Sequence, residues 1–167
     1  MELSRSSVET AYFAGGCFWG VEHMMKKLPG IKSITCGFMG GFKENPSYQQ
    51  VRTGTTGHAE VVKIEFDPSE VDYEDLAKRF FEIIDTSTVD QQGPDVGNQY
   101  RSVVFYESLQ QKEIAEKLID ILEKKGYEVV TEVLPSSVFY EAEDYHQNYY
   151  ERNGSEPYCH MWQKKFD

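Results

Sequence analysis

Cysteine is scarce in this chain: three in 167 residues, an odd number with no CxxC pair. That excludes a disulfide framework of the secreted kind and leaves each thiol reactive, redox-active or packed in a core. Basic residues are also few, 17 against 28 acidic, and the formal net charge of −11 argues against phosphate backbones and anionic membranes as partners. Long apolar runs are missing. The uncharged run at 10–21 is about half a membrane span and is broken by glycines, so neither a spanning helix nor a signal peptide is expected. A cytoplasmic address is the default. Paired metal-ligand spacing is missing too: Cys159-His160 has no companion pair, so no bound metal is expected.

What is present is ordinary globular composition, 40% hydrophobic and 27% charged, in a chain long enough for a real core. There is no internal repeat, low-complexity tract or second-domain boundary. A single catalytic domain over residues 1–167 is expected, with 151–167 a mobile tail beginning near Asn153-Gly154-Ser155-Glu156-Pro157.

The chain is organised around Gly15-Gly16-Cys17-Phe18-Trp19-Gly20. Residues 9–14 ahead of it are aromatic-rich and β-compatible. Behind it, Val21, Met24, Met25 and Leu28 repeat at the spacing of an amphipathic helix. Cys17 therefore belongs at a strand-to-helix turn, near unpaired N–H groups and the positive end of a helix dipole, where a thiolate is favoured. An inert buried cysteine is the competing reading, and the stretch alone leaves both open.

Residues 31–40 read as a strand with Ile34, Cys36 and Phe38 on one apolar face, which makes Cys36 a packing residue. The stretch 40–57 is polar and turn-rich, and 85–100 breaks both periods; both read as long loops. Between them, 58–67 is a strand and 73–84 a helix capped by Asp72. Residues 101–106 are β-rich, and Ser108-x-x-Gln111 opens a helix that closes at Lys124-Lys125-Gly126. Residues 129–134 form a last strand, 137–140 extend the sheet, and 143–150 form a short helix. This order predicts an α+β fold: a ferredoxin-like split βαβ two-layer sandwich, with a mostly antiparallel mixed sheet and long loops around the site.

Along 58–67, Val62, Ile64 and Phe66 share one face, and Glu60 falls on it. A carboxyl there is either a paired structural anion or an acid kept protonated by its surroundings, suited to donate a proton.

Gly-Cys-Phe-Trp-Gly at 16–20, Pro-Ser-Tyr at 46–48, Thr-Gly-His-Ala-Glu at 56–60, Asp-Val-Gly-Asn-Gln-Tyr-Arg-Ser at 95–102 and Asp-Tyr-His-Gln at 144–147 together resemble peptide methionine sulfoxide reductase A. The resemblance runs in order from about residue 10 to 150. It implies reduction of methionine S-sulfoxide, free or in proteins, by a cysteine thiolate that attacks the sulfur and becomes a sulfenic acid. Cys17 matches the nucleophile and Glu60 the acid that protonates the oxygen. Tyr48 and Tyr100 match phenols that hydrogen-bond that oxygen, and Asp95 a further polar member. Phe18 and Trp19 match aromatic walls around the substrate methyl. His58, His146 and Gln147 match structural positions, and Arg101 is expected in an ion pair.

The resemblance also implies a resolving cysteine, for which Cys159 is the choice because it follows a flexible linker; Cys36 is the competitor. Many relatives carry a longer tail with a second such cysteine, whereas here Cys159 is followed by His160-Met161-Trp162, so a single disulfide is expected. Thioredoxin or another dithiol is the implied external reductant, no cofactor is bound, and a monomer is expected. A peroxidase or amidase using Cys17 with His23 or His58 is the rival enzyme class, although an amidase needs a base where Glu60 and the tyrosines supply acids. A zinc-binding interaction module is the other rival, and it lacks paired ligands.

Overall fold

The computed structural model describes residues 8–155, 157 and 160–166. In chain order the elements are β1 (Glu9–Ala14), α1 (Phe18–Met25), β2 (Ile31–Met39), α2 (Tyr48–Arg52), β3 (Ala59–Phe66), α3 (Tyr73–Ile83), β4 (Gln91–Gln92), β5 (Asp95–Val96), β6 (Val103–Tyr106), α4 (Leu109–Lys124), β7 (Glu132–Pro135), β8 (Tyr140–Glu141) and α5 (Tyr149–Asn153). Single 3-10 turns lie at Asn98–Tyr100 and Asp144–His146.

The main sheet has the order β7-β6-β1-β3-β2-β8. Every pairing in it is antiparallel except β6 with β7, which is parallel. Each βαβ unit straddles a strand of the other: β3 lies between β1 and β2, and β1 lies between β3 and β6. This is the split βαβ arrangement expected from the order of elements. Alternation along β3 decides which side each residue serves. Val62, Ile64 and Phe66 join Phe18, Val21 and Met25 of α1, Leu76 and Phe80 of α3, and Leu118 and Leu122 of α4 in the main core. Ala59 and Val61 face the other way, into a smaller cluster with Tyr12, Met39 and Phe105.

Several boundaries differ from the sequence reading, each for a local reason. The loop expected at 40–57 contains α2, one turn long, because Ser47 and Gln50 form a complete capping box at its start. The Ser108 hydroxyl accepts from the Gln111 amide as expected, but the Gln111 side chain accepts from Glu107 N and donates to Thr10 O. The last strand starts only at Glu132, and the extension expected after it crosses to the opposite edge, where β8 pairs with β2. The helix expected at 143–150 is a 3-10 turn followed by α5, separated by Asn148 in the left-handed conformation at φ 55°.

Of the stretch expected as a mobile tail, 151–153 lies in α5 and residues 160–166 run against α3. Glu82 organises this contact: its carboxylate accepts from Trp162 Nε1 at 2.9 Å, Lys165 N at 3.0 Å and Phe166 N at 3.2 Å. The Lys165 ammonium donates to Phe81 O and Ile84 O at 2.8 and 2.7 Å, serving carbonyls that a helix end leaves unpaired. Among the described residues no helix is long and apolar enough to cross a membrane.

Candidate active site

The turn between β1 and α1 puts Cys17 at the N-cap of α1, with its carbonyl accepting from the amides of Gly20 and Val21. Its side chain makes no capping hydrogen bond, so the sulfur is not used up in closing the helix. Gly16 adopts φ +85°, and a Cβ there would stand 2.7 Å from Gln92 Cβ, so the turn needs glycine on both counts. The Gly16 amide donates to Tyr100 O at 3.2 Å, tying the cysteine turn to the 3-10 turn that carries Tyr100.

Glu60, 1% exposed, reaches the same place from β3. Its Oε1 accepts from the Phe18 amide at 3.2 Å. Its Oε2 is buried without a hydrogen-bond partner among the described residues. Burial pushes the carboxyl up to about 8, and the charge of Asp95 adds to this; the Phe18 amide and Arg52 pull partly the other way. The group is therefore a neutral acid at pH 7. Because Oε1 is committed as an acceptor, the proton belongs on Oε2.

Tyr48 opens α2, and its phenol is held well above the usual range by burial first, then by the charges of Glu60 and Cys17. Tyr100 is raised by burial and by Glu60, Tyr48, Asp95 and Cys17. Both phenols are therefore donors at any working pH. These mutual fields place Cys17, Tyr48, Glu60, Asp95 and Tyr100 in one neighbourhood. Asp95 is delivered by the short β4–β5 hairpin, where it pairs with Gln92.

Phe18 and Trp19 divide their duties. Phe18 is fully buried, its ring 5.6 Å from Phe38, 6.2 Å from Tyr48 and 5.3 Å from His146. Trp19 is only partly buried; it stacks on Tyr149 at 3.7 Å and 5° and donates from Nε1 to His146 Nδ1 at 3.0 Å. With Nδ1 an acceptor, the neutral His146 ring carries its proton on Nε2, which is buried and has no partner among the described residues. His146 also lies 4.3 Å from Tyr48, ring to ring.

The segment that brings His146 and Tyr149 to the site is held by two side chains. Gln147 accepts from Cys36 N at 2.8 Å and donates to Cys36 O at 3.0 Å and Ala142 O at 3.1 Å. The buried Glu22 carboxylate accepts from Asn148 N at 2.9 and 3.1 Å. Tyr149 and Glu22 were not singled out from sequence; both lie at helical positions with no pattern that marks a site. His58 accepts from Gly41 N and therefore donates from Nε2 to Lys43 O at 2.7 Å, bracing the 40–57 loop. Arg101, expected in an ion pair, donates to the carbonyls of Asn98 and Gly57 at 2.7 and 2.9 Å.

Cys36 is fully buried, and its thiol donates to Phe18 O at 3.6 Å. Burial, with the charge of Glu22 behind it, pushes that thiol well up, which suppresses its thiolate. Cys159 lies outside the described residues. Its neighbour His160 is described: it is 3% exposed, and its Nε2 donates to Gly15 O at 2.6 Å. Among the described residues no group of His, Cys, Asp and Glu could hold a metal ion.

A thiol at a helix cap in the neighbourhood of a carboxylic acid held neutral, flanked by phenols and aromatic rings, is an arrangement suited to an oxidoreductase. Comparisons with known proteins agree. The family model described as peptide methionine sulfoxide reductase matches residues 9–167. Peptide methionine sulfoxide reductase MsrA of Sulfolobus acidocaldarius is 49% identical over 155 residues, covering 92% of this chain and 88% of that protein. The reduced form of Mxr1 from Saccharomyces cerevisiae superposes with a TM-score of 0.88 at 32% identity, covering 97% of this chain and 96% of that one. Mxr1 in complex with Trx2 shares the fold, with a TM-score of 0.63 at 23% identity over 98% of this chain and 95% of that one. The chain belongs to the peptide methionine sulfoxide reductase A family.

Proposed function

We propose that Cys17 reduces methionine S-sulfoxide and that Glu60 is the acid that makes this possible. A sulfoxide oxygen leaves poorly until it is protonated, so the reaction needs a thiolate on one side of the sulfur and donors on the other. Cys17 attacks the sulfur, Glu60 supplies a proton from Oε2 to the oxygen, and the phenols of Tyr48 and Tyr100 hold that oxygen by hydrogen bonds. Asp95 sustains the neutral state of Glu60 through its charge. The sulfoxide S–O bond breaks as the protonated oxygen passes to the Cys17 sulfur, the transient bond between the two sulfurs breaks, and methionine leaves with Cys17 as a sulfenic acid. Trp19, backed by Tyr149, forms the wall for the thioether methyl, and Phe18 fixes the floor beneath it. Oxygen and methyl are thereby assigned to different sides, which is the basis for accepting one epimer.

The observation that carries this reading is the pair of oxygens on Glu60: one fixed by the amide of Phe18, the other buried with no hydrogen-bond partner among the described residues. Cys159 then resolves the sulfenic acid, and a dithiol opens the resulting disulfide by exchange. Thioredoxin is the proposed dithiol, supported by the complex of Mxr1 with Trx2. Racemic methionine sulfoxide tests the whole scheme: half should be consumed with a dithiol, and peptide mapping after one turnover should recover Cys17 joined to Cys159. Consumption of both epimers, or a disulfide to Cys36, would overturn the corresponding part.

A further inference from the structure

We infer that His160 is a positioning residue for disulfide formation: its ring seats the tail on the Cys17 turn, so that the resolving thiol is delivered rather than left to diffuse. The inference rests on the reading of Cys159 as the resolving thiol. The seat is built from both sides of the nucleophile. Ahead of Cys17, Gly15 O accepts from His160 Nε2 at 2.6 Å. Behind it, a Cβ on Gly20 would stand 2.1 Å from His160 Nδ1, and one on Gly16 would stand 3.0 Å from Nε2. The imidazole thus fills a hollow that exists only because glycine flanks the cysteine. The ring is 3% exposed, so the tail does not merely graze the surface here.

The tail is also held downstream. Glu82 binds Trp162, Lys165 and Phe166, and Lys165 binds the end of α3, so residues 162–166 have an anchor independent of the His160 seat. Upstream, α5 ends at Gly154 in the left-handed conformation at φ 67°, followed by the exposed Ser155. In sequence His160 directly follows Cys159, the thiol read as resolving, so the residue seated on the Cys17 turn is its immediate neighbour in the chain. The difference matters for rate. A group on a loose tether has an effective concentration in the millimolar range, whereas an oriented group far exceeds this. In the step concerned, the Cys159 sulfur attacks the Cys17 sulfenic sulfur. An S–S bond forms, the S–O bond breaks, and the hydroxyl leaves with the thiol proton as water.

The experiment uses the full chain and separates the steps. In His160→Ala, methionine release in a single turnover without reductant should keep its wild-type rate and reach about one per enzyme. The sulfenic acid, trapped with dimedone at timed intervals and read by mass spectrometry, should persist roughly tenfold longer, and thioredoxin-driven turnover should fall with it. His160→Gln, whose amide nitrogen reaches the position of Nε2, should restore most of the disulfide rate. A wild-type sulfenic acid lifetime in His160→Ala would overturn the inference. So would an equal slowing of methionine release and disulfide formation, which is what a purely structural role predicts. Cys159→Ser keeps the two readings apart: if that variant still recycles with thioredoxin, the resolving assignment itself is wrong. If it does not, and His160→Ala recycles normally, only the seat is wrong.

Discussion

The Phe18 amide donates to Oε1 of Glu60 at 3.2 Å, joining the residue after Cys17 to a carboxyl forty-two positions later in the chain. The bond sets more than the distance between thiol and acid. By occupying one oxygen as an acceptor, it leaves the proton of the neutral acid on the other, on the unpartnered side. Glu60→Gln keeps the acceptor and removes the transferable proton. Single-turnover methionine formation should therefore fall by two orders of magnitude or more, in the range of about 10²–10⁴ for general acid catalysis. The wild-type rate should also decline as pH rises through about 8, where Glu60 loses its proton, and the residual rate of the variant should lack that decline. Rapid-quench rates on either side of that pH decide it; a wild-type profile that stays flat removes Glu60 as the acid.

The same buried acid has a cost in stability, with a definite sign. Burial pushes its carboxyl up to about 8 in the fold from the ordinary 4.5, so between those values the native state holds a proton that the unfolded chain has lost. Stability should fall as pH rises through that window, by up to about 1.4 kcal/mol per pH unit from this group alone. Glu60→Gln removes the dependence. Thermal unfolding of both proteins near the two ends of the window should show the variant gaining on the wild type toward higher pH, and a constant difference would contradict the raised titration.

The thiols are predicted to separate by step. Cys17→Ser should form no methionine even in a first turnover, since a hydroxyl is a far weaker nucleophile at its ordinary pKa. Cys159→Ser should release about one methionine per enzyme in a burst and then stop with thioredoxin as reductant. Cys36→Ser should leave both steps close to wild type, because that thiol is committed to Phe18 O in the core. Loss of recycling in the Cys36 variant, with recycling intact in the Cys159 variant, would exchange their roles.

Two positions of the candidate site were legible from short-range periods, while Tyr48, Asp95, Tyr100, Phe18 and Trp19 were singled out only through the family resemblance. Alternation in β3 placed Glu60 on the apolar face, and the helical spacing after Gly20 placed Cys17 at a cap. What was not legible depends on partners distant in the chain. The α2 turn is too short to show a period, although Ser47 and Gln50 carried its signal. His146 and Tyr149 reach Trp19 only because Glu22 binds Asn148 and Gln147 bridges to Cys36, and no local pattern announces either contact. The seating of the tail is hidden for the same reason. Nothing in the local sequence marks Glu82 and Lys165, each of which collects backbone groups from the other's segment.

The phenols should behave as paired donors. Tyr48→Phe and Tyr100→Phe each remove a hydroxyl and keep the ring, so the stacking of Tyr48 with Phe18 and Trp19 survives. Each should slow the first step roughly tenfold, the worth of a hydrogen bond of about 1.4 kcal/mol. The double variant should lose more than the product of the singles, since the remaining phenol partly covers for the missing one. Single-turnover rates of the four proteins give the cycle, and strict additivity would show that the hydroxyls do not share one oxygen.

The methyl wall proposed for Trp19 should report on binding rather than on proton transfer. Its indole is fixed on two sides, by the Tyr149 ring stacked at 3.7 Å and by the His146 Nδ1 that accepts its N–H at 3.0 Å. Tyr149→Ala frees one face and leaves the donors around the oxygen untouched. Sulfur–aromatic contacts contribute about 0.3–1.5 kcal/mol, so KM should rise by up to roughly tenfold while kcat changes little. Trp19→Ala should raise KM further, because the wall itself is gone, whereas Trp19→Phe keeps a ring but loses the His146 bond and should fall between the two. Steady-state kinetics on a methionine sulfoxide amide with dithiothreitol measure all three. A loss confined to kcat would move Trp19 from the methyl wall to the chemistry at sulfur, since only an interaction made in the transition state lowers kcat without raising KM.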